Sequence, residues 1–204
     1  MDLIPAFLRG LVVGFAIAAA IGPIGLLCIR RTLVEGTAVG LVSGLGAATV
    51  DGLYASVAAF GLTAAADLLV SARRPLGILG GSFLIALAIR SLLARRESAI
   101  DRAPRTLLSA YATTAALTIV NPATILSFAA AFVGLGLAGH DAIATAALVL
   151  GVFLGSATWW VALTLVVSAF RARLGLAAQQ RLAAGSSVFI GLLGLAAVVA
   201  SLVA

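Results

Sequence analysis

Charge is missing from this chain over long distances. The runs 10–29, 75–89, 106–140, 142–170 and 182–204 contain no Asp, Glu, Lys or Arg, and 36–66 contains only Asp51. A membrane span takes about 20 mainly apolar residues. The six runs therefore predict six helices, near 5–28, 37–61, 75–93, 106–135, 142–170 and 183–204. Run 106–140 is long for one straight span, which fits a helix broken or tilted around Asn121-Pro122. Only 10% of the residues are charged, against about 25% in ordinary soluble domains; a soluble domain is excluded. The first run lacks a small-residue cleavage site leading into a soluble domain, and five more runs follow, so it is read as structure rather than as a signal peptide.

Two prolines interrupt the most apolar stretches, at Gly22-Pro23 and Asn121-Pro122, 99 residues apart. Proline removes a backbone donor and clashes with the carbonyl four residues back. Within hydrocarbon such a break survives only where other protein or a water-filled cavity satisfies the freed groups. Paired breaks in corresponding places of two halves point to a transporter's binding site. The other reading is that both prolines only kink their helices for packing.

The net charge of +6 comes from 13 arginines and no lysine. With six spans the loops alternate sides. Ten arginines (Arg30, Arg31, Arg90, Arg95, Arg96, Arg102, Arg105, Arg171, Arg173 and Arg181) fall on one side and three (Arg9, Arg73 and Arg74) on the other. Excess arginine marks the cytoplasmic side, so both termini are expected outside and loop 94–105 inside. No segment is long enough to present the arginines as a soluble nucleic-acid face. Cys28, the single cysteine, excludes an internal disulfide and reads as a small packing residue.

The polar stretch 94–105 divides the chain into 1–93 and 106–204, each with three spans. An odd number of spans makes the second half enter from the opposite face, so the expected architecture is all-α: a polytopic membrane protein of two inverted three-helix repeats, each with a broken first helix. Internal similarity is patterned: Gly46 lies five residues before Asp51, as Gly155 does before Trp160. Gly36, Gly40 and Gly44, with Gly151 and Gly155, follow the small-residue spacing that lets membrane helices approach closely.

Asp51 is the acid inside an intact span, about 15 residues from either end of its run, which at about 1.5 Å per residue puts it near the bilayer midplane. A carboxylate there costs about 2.5–3.5 kcal/mol on insertion scales. No arginine is expected at its depth, Arg90 being the nearest and close to a helix end, so its charge must be met by a proton or a ligand's ammonium. The alternative is a protonated acid hydrogen-bonded for packing. The half-helices that restart after Gly22-Pro23 and Asn121-Pro122 present N-termini whose free N–H groups attract anions, and the Asn121 amide adds a donor and an acceptor. An anion site beside a cation site matches a zwitterion. Trp160 is either a lipid-facing anchor or, as the counterpart of Asp51, a wall of the pathway. His140 and Asp141 read as solvated loop residues, too few for a metal site.

The residues G22-P23-I-G-L-L-C-I-R-R, G-T-A-V-G-L at 36–41, G46-A-A-T-V-D51, G80-G-S-F-L-I-A-L-A-I-R90 and N121-P-A-T-I-L-S-F, in this order over nearly the whole chain, resemble the LysE/RhtB family of small bacterial amino-acid exporters. Where that family usually reads Pro-Gly-Pro, this chain has Ile21-Gly22-Pro23, and a glycine usual in the third helix is Ala88. The resemblance implies export of an amino acid or close derivative across the bacterial inner membrane, driven by the proton gradient and without a cofactor. Two other classes compete, an intramembrane enzyme and a non-transporting scaffold. Against an enzyme stand the absence of a His-Glu-x-x-His helix and of a Gly-x-Ser-x-Gly elbow.

Overall fold

The computed structural model describes residues 3–20, 22–60, 72–93, 106–134, 141–173 and 175–203. Among them the chain is helical, with eight helices: α1 (Leu3–Ala19), α2 (Pro23–Glu35), α3 (Thr37–Ala59), α4 (Arg73–Leu93), α5 (Leu107–Ile119), α6 (Pro122–Gly134), α7 (Ala142–Arg173) and α8 (Leu176–Val203). Three are long and apolar enough to cross a membrane alone, over Thr37–Ala59, Ala142–Arg171 and Ala184–Val203. Two bent pairs are together long and apolar enough for one broken span or a re-entrant loop each, α1 with α2 at 75° and α5 with α6 at 63°. Arg74–Ile89, where the third span is expected, is apolar but shorter. Linker 94–105, with its arginines, lies outside the described residues, as does His140.

Both breaks fall at the prolines, where the ladder cannot continue. Each proline is the first residue of its half-helix, the one position where its missing N–H costs nothing. The Ile119 carbonyl, freed by the second break, accepts a hydrogen bond from the Tyr54 hydroxyl. Another helix thus satisfies the backbone, as hydrocarbon requires. The second helix of the first pair runs on to Glu35, past the expected end of its span, so Arg30 and Arg31 lie inside α2 rather than in a loop. Gly36 alone connects α2 to α3. Its φ of 104° is open to glycine and strained for other residues, and its N–H bonds the Arg31 carbonyl.

Exchange of the two halves would carry α1 onto α5, α2 onto α6, α3 onto α7 and α4 onto α8. The packing follows it in part: α1 lies along α7 and α3 along α5, and α3 with α7 and α4 with α8 pair directly, but α2 packs on α8 and α3 far more than α6 does on α4 and α7. The closest seam is α1 on α7. Gly10 and Gly14 rest on the backbone of Leu148 and Val152, and Gly151 and Gly155 on that of Phe7 and Leu11, so a Cβ at any of the four would overlap a carbonyl. Without a hydrophobic drive between helices in lipid, such contacts are what packing has to work with. α3 is the central helix, with 67% of its span window buried, against 22% for α8. Leu192, Leu195 and Val199 of α8 remain on the outer surface, as lipid-facing residues do.

Candidate functional site

The two breaks meet around one cavity of about 80 Å³. Gly22, Pro23, Ile24 and Gly25 line it from the first break, and Asn121, Ala123, Thr124 and Ser127 from the second. Ile17, Ala18 and Ala20 before the first break, with Asp51, Thr118 and Trp160, complete the wall, and Pro122 opens the half-helix beside it. That volume holds several waters, one needing about 10–15 Å³. At Gly25 an added Cβ would meet nothing within 4 Å. The residue is nevertheless buried, so the space in front of it belongs to the cavity.

Asp51 is 3% exposed. Its Oδ2 accepts a hydrogen bond of 2.6 Å from Ser156 Oγ, and Trp160 Nε1 in turn donates to Ser156 Oγ at 3.1 Å. The two residues matched by position in the two halves are therefore joined through one hydroxyl. Ser156 and Trp160 stand one turn apart on α7, which faces α3 directly because Gly44 leaves room for the Trp160 ring. Trp160 is buried, away from lipid. Its neighbour Trp159 meets Phe15 edge to face at 5.4 Å. Asp51 Oδ1 makes no hydrogen bond among the described residues and belongs to a side chain on the cavity wall.

The two half-helix ends differ. Gly22, at the N-cap of α2, is extended and supplies no side-chain cap. Asn121 turns its amide back on its own helix: Oδ1 accepts from the Ala123 N–H at 3.2 Å and Nδ2 donates to Thr124 Oγ1 at 2.9 Å. The amide expected to meet a ligand is engaged in capping. The first turn of α2 thus carries no side-chain cap where the first turn of α6 has one.

Two further features escaped the sequence reading. Ser156 is one; a serine in an apolar helix carries no signal until the helix opposite is known. Arg31 is the other. Its side chain is fully buried, donating from Nη1 to Ser43 Oγ, the Ala110 carbonyl and Thr114 Oγ1, and from Nη2 to Thr113 Oγ1, at 2.6–2.8 Å. The reading of Arg31 as a loop residue is corrected, while its partner Ser43 lies two turns, about 12 Å, from the depth of Asp51 along α3. The available signal was Pro23, since a helix restarted there reaches position 31 while still inside the protein. Asp141, expected as a solvated loop residue, caps α7 by accepting from the N–H groups of Ile143 and Ala144. No cluster of His, Cys, Asp and Glu able to hold a metal occurs among the described residues.

The family model described as LysE type translocator matches residues 15–201 of the chain. No curated protein and no solved structure matches it.

Proposed function

The chain belongs to the LysE type translocator family, and on that premise we propose that this multi-pass membrane transporter exports small zwitterionic amino acids or close derivatives, coupled to the proton gradient. One observation carries the reading: a single cavity joins a mid-membrane carboxylate to the uncapped start of α2. Asp51 receives the ammonium or, in its absence, a proton. The first turn of α2 receives the carboxylate, with Gly25 leaving the space a backbone-bound ligand needs. Trp160 and Ser156 hold the acid in place. The halves 1–93 and 106–204 are the inverted units that expose this site to one face and then the other.

The arginine asymmetry supports a bacterial inner-membrane location with both termini outside. The decisive test is export of a panel of amino acids from dipeptide-fed cells with and without the protein. At least one amino acid should leave faster when the protein is present. Equal export across the panel would remove the reading and leave a scaffold or an enzyme in its place.

A further inference from the structure

Arg31 lies eight residues beyond Pro23, or about 12 Å along α2. Its partners stand at a matching remove from the cavity on two other helices. Ser43 precedes Asp51 by two turns on α3, and Thr114 precedes the cavity residue Thr118 by one turn on α5. Thr118 itself bonds back to the Thr114 carbonyl. The guanidinium thus fills the gap between α2, α3 and α5 beyond the cavity, behind the buried layer of Leu27, Cys28, Ala47 and Leu117, toward the helix ends at Glu35, Thr37 and Thr106. That is the arginine-rich side.

We propose that Arg31 is a gating residue, a latch that closes the cavity toward the arginine-rich side. Its planar fork pins α2 to α3 and α5 at once, a geometry that lysine's point charge does not reproduce. α2 is bounded by two places where the backbone can change direction, the Gly22-Pro23 break and Gly36. When the fork releases, α2 moves between these two points and the cavity opens toward the ends of α2 and α3 at Glu35 and Thr37. The idea rests on the transport reading above, but its test does not require a substrate.

The full-length protein in oriented membrane vesicles, with Cys28→Ser to remove the native thiol, carries Ser127→Cys as a near-isosteric reporter on the cavity wall. A small impermeant methanethiosulfonate is applied to each face in turn. Arg31→Met should raise the labelling rate from the face of the Glu35 and Thr37 helix ends at least about tenfold, since each charge-assisted hydrogen bond lost carries about that factor. Arg31→Lys should give a smaller rise, and labelling from the opposite face should stay unchanged. Unchanged labelling in Arg31→Met, or an equal rise from both faces, overturns the latch. Should Arg31→Met not reach the membrane, Ser43→Ala with Thr113→Val removes two acceptors while retaining the guanidinium. The same one-sided rise is then expected, and its absence is equally fatal. A one-sided rise in a protein that exports nothing would uphold the latch and refute the exporter.

Discussion

The packing on the two sides of the cavity differs in kind. Toward the arginine-rich ends an apolar layer of Leu27, Cys28, Ala47 and Leu117 is backed by polar contacts: the Arg31 fork on Ser43, Thr113 and Thr114, Arg30 bonded to Ser187, and Thr37 bonded to Ser168. Toward the other ends the packing is apolar. Ala6, Val13, Ala55, Ile125, Phe128, Leu148 and Val152 form one buried cluster, and the glycine seam of α1 on α7 brings backbone against backbone. The half-helices follow suit. α2 buries seven of its residues, Arg31 among them, whereas α6 buries only Ile125 and Phe128 among its described side chains. Eight residues after Pro122, where Arg31 follows Pro23, stands exposed Ala130. The two half-helices after the breaks are thus packed by different chemistry. Directional bonds let go in discrete steps that water can replace, while a close-packed seam loses many small contacts together.

Three substitutions would break or sharpen this contrast. The largest effect is expected at Asp51, between the two sides. Asp51→Asn keeps the volume and can still accept from Ser156, but it cannot ionise. The variant should fold at least as well as the native protein, since a costly charge has left the membrane core. Export should fall at least about a hundredfold, within the roughly 2–5 kcal/mol that loss of a buried charge partner costs. Export assays across external pH should also lose any response due to this carboxyl. Normal export by a well-expressed Asp51→Asn protein would reduce the acid to a packing residue.

Gly14→Val tests the apolar side. A side chain there meets the Val152 backbone, and overpacking of this kind costs about 1–3 kcal/mol. Thermal unfolding in detergent should show the loss, with Gly185→Ala as the comparison, because a Cβ at Gly185 meets nothing within 4 Å. Equal melting of the two variants would mean that the seam is not rigidly packed.

The smallest effect is expected from Asn121→Ala. It removes a helix cap worth about 1 kcal/mol, so stability should drop slightly while substrate affinity, read by a binding titration, stays within about fivefold. A much larger loss of affinity would show the amide meeting the ligand directly, and the two half-helix ends would then be equal partners.

Much of this arrangement was legible before any coordinates. The charge-free runs placed the helices, and Pro23 and Pro122 marked both breaks, because proline's effect is local and independent of context. Asp51 stood out because an acid in hydrocarbon is costly wherever it faces. Arg31 was hidden by the same logic. Ending a span at the first charge assumes that charge seeks water, and α2 instead carries its guanidinium into oxygens supplied by α3 and α5. Those partners lie 12 to 83 residues away, beyond any local pattern. Asn121 was legible as a polar residue at a break, but not as one spent on its own helix. Capping and ligand binding draw on the same atoms, and only the geometry separates them.

Ser156 has a consequence that follows from counting hydrogens. Its hydroxyl carries one proton and two lone pairs. Trp160 Nε1 can only donate, so it occupies one lone pair, and the single proton is turned toward Asp51 Oδ2. A hydrogen placed on Oδ2 would face that proton head-on, and the hydroxyl would have to rotate to an acceptor it does not now use. The two oxygens of one carboxyl are therefore unequal. Oδ2 is held to the scaffold by an indole that cannot reverse its role. Oδ1 makes no hydrogen bond among the described residues, so a change at that atom leaves the Ser156–Trp160 bond undisturbed.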